Sequence, residues 1–191
     1  VTNSPYSDTC IKRRVIILLN FLGKVYMENN NGSKHLYFYA VGVSYKKADA
    51  EISGKFSLDA LAKTRLLEQA KREGIESLIV TSTCNRTEIY GFAEHPFQLI
   101  KLICENSRGT IEEFQNVCFV YKNQEAINHM FRVGTGLDSQ ILGDFEIISQ
   151  LKTSFAESRS FGLINTFLSR LITAVMQASR DIKNETESSS G

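Results

Sequence analysis

Apolar and polar positions alternate along this chain in blocks that read as structural elements. Leu36 to Tyr45, LYFYAVGVSY, is rich in aromatic and β-branched residues and predicts a strand. Lys46 to Phe56 follows as a polar connection containing Gly54. Leu58, Leu61, Ala62, Leu66 and Ala70 then recur at helical spacing, with Ser57 as N-cap, Asp59 favourable in the first turn and Gly74 at the C-terminal end. Ser77 to Thr81 and Thr87 to Ala93 predict two more strands joined by a short polar link. Pro96 suits the opening of a second helix, whose apolar face is Phe97, Ile100, Ile103 and Cys104. Val117 to Tyr121 predicts a fourth strand.

This order gives an α+β fold: a ferredoxin-like βαββαβ antiparallel sheet with two helices on one face. The short link between the second and third strands favours antiparallel pairing, because a parallel pair needs a long crossover. Beyond Lys122 the strand signals cease. Asn123 caps a helix to about Val133, Gly134-Thr135-Gly136 breaks it, and Gly143-Asp144 opens another that ends at Gly162. A long helix from about Asn165 to Asn184 carries a seam of Phe167, Leu168, Leu171, Val175, Ala178 and Ile182. Such a seam needs cover, either from the preceding helices or from something outside this chain.

The expected organisation is a flexible extension over 1–34, a ferredoxin-like subdomain over 35–122, a helical subdomain over 123–162, and the start of a long connecting helix over 163–191. Met27 opens the polar run MENNNGSKH, and the expectation is that it is the natural start.

Composition narrows the class. Among 191 residues, 42% are hydrophobic and 23% charged, as in an ordinary globular protein, and the chain is long enough to bury a core. A net charge of +1 announces no broad basic surface for polyanions. Val15 to Leu22 is apolar but too short to span a bilayer. Cys10, Cys84, Cys104 and Cys118 form no CxxC pair and the three histidines are scattered, which argues against a structural zinc site. Widely spread thiols fit a reducing compartment, here the cytoplasm.

The chemistry concentrates in LIVTSTCNRTEIY, Leu78 to Tyr90. A buried run ends abruptly in hydroxyls, a thiol, an amide and a guanidinium. Most cysteines are small buried hydrophobes, and Cys104 and Cys118 fit that description. Cys84 differs, because Arg86 stands two residues away and the turn offers N–H groups and the hydroxyls of Ser82 and Thr83. A thiolate beside a cation and an oxyanion site can attack an ester or thioester carbonyl.

Two long motifs here resemble the glutamyl-tRNA reductase family: STCNRTEIYG at Ser82 to Gly91 and HMFRVGTGLDSQILGDFEIISQLK at His129 to Lys152. A third, ASRDIKNETESSSG at Ala178 to Gly191, is similar to the segment entering that family's cofactor domain. The resemblance covers roughly residues 36–191. It implies that Cys84 attacks the glutamyl ester of glutamyl-tRNA to form a thioester, which NADPH reduces to glutamate-1-semialdehyde at the start of tetrapyrrole biosynthesis. By motif position Thr83, Asn85, Arg86, Ser139, Asp144, Phe145, Glu146 and Gln150 would meet the substrate. Arg86 would grip a carboxylate in bidentate fashion, and His129 would handle protons near the thiol. Taken without the resemblance, His129 reads as a histidine that caps or packs a helix surface.

The sequence departs from the family at Tyr45, where histidine is usual, at Ala48-Asp49-Ala50, where a proline is usual, and at Asp144-Phe145-Glu146, where glutamate, proline and glutamine are usual. No GxGxxG follows a strand, so NADPH is expected to bind in a downstream domain absent from this chain. A homodimer of the full-length protein and hand-over to an aminomutase are further implications. The rival reading is a non-catalytic RNA-binding module that stacks bases on Tyr37, Tyr39, Tyr90 and Phe92.

Overall fold

The computed structural model describes Arg13, Ile16, Ile17 and residues 35–138 and 146–188. Among the described residues it is a mixed structure of four strands and several helices. The elements are β1 (Tyr37–Ser44), α1 (Ala50–Lys55), α2 (Ala60–Arg72), β2 (Leu78–Ser82), β3 (Arg86–Ala93), α3 (Phe97–Asn106), α4 (Ile111–Val117), β4 (Phe119–Lys122), α5 (Gln124–Gly134), α6 (Glu146–Ser160) and α7 (Thr166–Ser188). The sheet order is β2-β3-β1-β4. Each neighbouring pair is antiparallel.

Side chains alternate across a strand, so β1 serves two cores. Tyr39, Val41 and Val43 face one core with Leu66 and Leu67 of α2, Leu102 of α3 and Phe114 of α4. Phe38 and Ala40 face the other with Ile127 and Phe131 of α5, Leu151 of α6 and Leu171 and Val175 of α7. The sheet is therefore covered on both faces, where the sequence predicted two helices on one face and a separate helical segment. The near-continuous apolar run of β2, Leu78-Ile79-Val80, is what two-sided burial requires. The seam of α7 lies on α5 and α6, with Leu168, Leu171 and Val175 fully buried.

Several boundaries differ from the sequence reading. Asp59 is the N-cap of α2, accepting from the Ala62 N–H at 2.8 Å, whereas Ser57 lies before the cap. The expected connection over 46–56 contains α1, capped by Asp49. Residues 111–117 form a helix through a Thr110–Glu113 capping box, so β4 starts at Phe119 and Cys118 sits at the end of α4 rather than within a strand. Asn123 stands at the N-cap position of α5 with φ 50°, but its Oδ1 accepts from the Phe38 N–H across the sheet. Gly74 and Gly162 end their helices at positive φ, as expected. The predicted helix start at Gly143-Asp144 and the N-terminal extension, Met27 included, fall outside the described residues.

Candidate active site

The β2–β3 connection is a tight hairpin. The Thr83 N–H donates to the Arg86 carbonyl at 2.8 Å, and the Asn85 N–H donates to Thr83 Oγ1 at 3.2 Å. The Tyr45 N–H donates to the Asn85 carbonyl at 3.0 Å, which ties the hairpin to the end of β1. Cys84 stands exposed at the tip. Cys104 is buried and Cys118 half-buried. Burial pushes the Cys104 thiol up to about 11. Ser82 Oγ is spent on the fold, accepting from the Leu58 N–H at 2.9 Å and pairing with Thr87 Oγ1.

Two residues past the thiol the chain enters the interior. Arg86, Glu88 and Tyr90 occupy alternate positions of β3 and so project to one face, the face covered by α5. All three are buried, Glu88 completely. Arg86 Nη1 donates to Glu88 Oε1 at 2.9 Å, and Nη2 donates to the Asp138 carbonyl at 2.8 Å. The Tyr90 hydroxyl donates to Glu88 Oε2. His129 Nε2, from α5, lies 3.2 Å from Glu88 Oε1. The His129 ring packs among Tyr90, Phe119 and Tyr121, its centroid 4.7 Å from that of Phe119. Lys46 pairs with the Asp138 carboxylate and extends the chain of contacts to the surface.

Gly42 makes room for this cluster. It pairs with Glu88 across β1 and β3, and a Cβ at position 42 would come within 2.9 Å of Glu88 Cγ and overlap the Thr87 carbonyl. The electrostatics follow from burial and pairing. Burial pushes the Glu88 carboxyl up, but the His129 hydrogen bond, the Arg86 charge and the Tyr90 hydroxyl outweigh it and hold the group below the ordinary glutamate value. Burial works against the charged form of Arg86, and Glu88, Tyr90 and Asp138 more than restore it. Burial and the Glu88 charge raise Tyr90 well above the usual tyrosine value.

A cleft of about 300 Å³ opens beside the cluster, lined by Ser44, Lys46, Lys47, Phe119, Tyr121, Glu125, Asn128, His129, Arg132 and Asp138. Among the residues predicted from sequence, His129 lines this cleft. Thr83, Cys84 and Asn85 share the hairpin. Arg86 is turned inward onto Glu88 and Asp138 rather than held open at the surface. Glu146 is exposed and Gln150 half-buried in the first turns of α6, with Gln150 Nε2 3.5 Å from Glu146 Oε1, and neither lines the cleft. Ser139, Asp144 and Phe145 lie outside the described residues.

Glu88, Asp138 and Lys46 were not predicted as site residues, and Tyr90 was named only in the RNA-binding reading. The signal for Glu88 and Tyr90 was present: Arg86, Glu88 and Tyr90 alternate on a strand whose flanks are apolar, so a charged pair must point into the protein. Among the described residues no group of three or more His, Cys, Asp or Glu gathers to hold a metal, and no helix is long and apolar enough to cross a membrane. No described strand runs through a glycine-rich turn into a helix N-terminus.

An exposed thiol thus stands on a hairpin rooted in a buried Arg–Glu–His cluster. The family model described as "Glutamyl-tRNAGlu reductase, N-terminal domain" matches residues 41–186. This chain belongs to that family. It is 70% identical over 165 residues to glutamyl-tRNA reductase of Flavobacterium psychrophilum, a match covering 86% of this chain and 40% of the relative. It is 67% identical, with the same coverage, to glutamyl-tRNA reductase of Christiangramia forsetii. The chain thus spans about two fifths of these relatives. The solved structure of glutamyl-tRNA reductase from Methanopyrus kandleri superposes with a TM-score of 0.60 at 22% identity, covering 75% of this chain and 34% of the other, which shows the fold.

Proposed function

We propose that this chain performs the opening step of glutamyl-tRNA reduction. Cys84 Sγ attacks the carbonyl carbon of the glutamyl ester, the carbon–oxygen bond to the tRNA ribose breaks, and the tRNA hydroxyl leaves with a proton. The product is a thioester on Cys84. The observation that carries this reading is the placement of Cys84. It is exposed at the tip of a hairpin whose base is locked by the buried Arg86–Glu88–His129 cluster. The motif positions of Thr83, Asn85, Arg86, Ser139, Asp144, Phe145, Glu146 and Gln150 support their assignment to the substrate. His129, at the cleft wall, is the proposed proton-handling group. Contact between Arg86 and a substrate carboxylate requires the guanidinium to use N–H groups left over from Glu88 and Asp138, of the five it carries.

NADPH, proposed as the reductant on the family resemblance, would be held by residues outside this chain. The strand order supports the ferredoxin-like βαββαβ arrangement for residues 35–122, with 123–162 completing the substrate pocket and α7 as a connecting helix. A cytoplasmic location, a homodimer and hand-over to an aminomutase belong to the same proposal. The RNA-binding module reading loses its platform, because Tyr39, Tyr90 and Phe92 are buried.

The test is incubation of the full-length protein with glutamyl-tRNA in the absence of NADPH, followed by intact-mass and peptide analysis. A glutamyl adduct on Cys84, absent in Cys84→Ala, is the expected result. Absence of both an adduct and glutamate release above background refutes the proposal.

A further inference from the structure

Glu88 has no role in the motif-based assignment, yet it touches two side chains to which that assignment gives work, Arg86 and His129. Its Oε1 receives Arg86 Nη1 at 2.9 Å and stands 3.2 Å from His129 Nε2, while its Oε2 receives the Tyr90 hydroxyl. The residue is completely buried, inaccessible to any substrate, so it does not act by contact with the reacting atoms. A buried carboxylate survives only when its oxygens are satisfied by donors, and each of its three partners supplies one. Arg86 and Tyr90 are donors by chemistry, and an ionised carboxylate accepts only, so the nitrogen that His129 turns to it carries a proton.

We propose that Glu88 is the positioning residue of this site: it fixes His129 with Nε2–H facing the sheet, leaving Nδ1 as the ring nitrogen for proton exchange, and with the same oxygen fixes the guanidinium of Arg86. The inference rests on the function proposed above and deepens it. Three observations carry it. His129 Nδ1 makes no hydrogen bond to any described residue, whereas Nε2 is bonded to Glu88. His129 lines the cleft, whereas Glu88 lies behind it. The position of the carboxylate is itself fixed: Gly42 leaves room for it on β1, and Tyr90 locks its second oxygen. A carboxylate behind an imidazole, bonded to the nitrogen not used in chemistry, sets tautomer and ring orientation at once.

Positioning depends on reach as well as charge, and Glu88→Asp separates the two. Aspartate keeps a counter-charge for Arg86 but withdraws the carboxylate by about one methylene, roughly 1.5 Å. In the full-length protein, single-turnover formation of the Cys84 thioester is measured against glutamyl-tRNA concentration, with the folded fraction set by near-UV circular dichroism. The expected result is a fall in the maximal acylation rate of about tenfold or more, with half-saturation within about threefold of wild type, because misplacement by an ångström costs rate rather than affinity. Glu88→Gln keeps reach and loses charge, and is expected to retain more activity than Glu88→Asp. If it fails to fold, Glu88→Asp decides alone. A maximal rate for Glu88→Asp within threefold of wild type overturns the proposal, as does a loss expressed only in half-saturation.

The second readout needs no turnover. In histidine-labelled protein, the wild-type His129 ring should show a hydrogen-bonded Nε2–H and a bare Nδ1, and in Glu88→Asp that Nε2–H resonance should shift or vanish. A wild-type ring protonated on Nδ1 overturns the inference. Absence of a Cys84 adduct in the wild type, with this resonance as expected, overturns the proposed function and leaves the positioning role standing.

Discussion

The two faces of β3 solve opposite problems with one strand. On one face Ile89 and Ala93 meet a core of leucine, isoleucine and phenylalanine. On the other, Arg86 and Glu88 bury a full ion pair before Tyr90 and Phe92 return the face to apolar packing. The apolar face gains from area removed from water, about 1.5–3 kcal/mol for a fully buried leucine side chain. The polar face gains little net stability from its charges, because desolvation opposes their attraction. It gains geometry instead. The difference teaches where this fold tolerates change: the apolar face penalises lost volume, and the polar face penalises a lost partner.

The largest effect should come from breaking a partner on the polar face. Glu88→Ala leaves Arg86 buried without its counter-charge and should lower unfolding free energy by about 3–5 kcal/mol in urea titration. A loss under 1 kcal/mol would show that the cluster is solvated. On the apolar face, Leu67→Ala should lower it by about 2–5 kcal/mol through the cavity left behind. Because Leu67 and Glu88 belong to different faces, their effects should add to within about 0.5 kcal/mol. Strong non-additivity would mean that the sheet transmits strain between its faces.

Smaller again is Gly42→Ala, in which the added methyl meets Glu88 Cγ and the Thr87 carbonyl. It should lose about 1–3 kcal/mol and lower the rate of Cys84 acylation with it. The smallest change in stability belongs to Cys84→Ala. The thiol is exposed, so thermal unfolding should move by no more than the equivalent of about 0.5 kcal/mol, while acylation disappears.

The polar face also predicts how stability follows pH. Glu88 titrates below its ordinary value of 4.5 in the folded protein, so its contribution is present above about that pH and is lost as pH falls through the depressed value. Tyr90 titrates well above 10.0, so its contribution is present below that pH and fades as pH rises past it. Urea midpoints from pH 3 to 11 should therefore fall at both ends, and Tyr90→Phe should blunt the alkaline fall. An unchanged alkaline limb in that variant would remove Tyr90 from the account.

Much of the fold was legible because it is written in local patterns. The strand run of Leu36 to Tyr45, the spacing of Leu58 to Ala70 and the glycine stops at 74 and 162 each specify an element without reference to the rest of the chain. The short helices α1 and α4 escaped because six or seven residues are too few for apolar spacing to declare a helix. Their signals were the caps, Asp49 in one and the Thr110–Glu113 box in the other. Coverage of the second face by α5, α6 and α7 was not legible, since a helical seam does not say which sheet it meets. In the site, the hairpin bearing Cys84 was visible from the break between apolar and polar residues. Alternation along β3 pointed Arg86 and Glu88 inward, but their partners His129 and Asp138 were not legible, because they reach β3 only through the tertiary fold.

Gly42 and Glu88 lie 46 positions apart and yet describe one volume. The empty place on β1 is the imprint of the acid on β3. Across relatives of this chain the two positions should therefore vary as a unit. A sequence that fills position 42 with alanine or a larger residue should have surrendered the acid at 88, and with it the pairing of the imidazole on α5. Reading one residue then reports on the protonation chemistry of another, with no substrate in view.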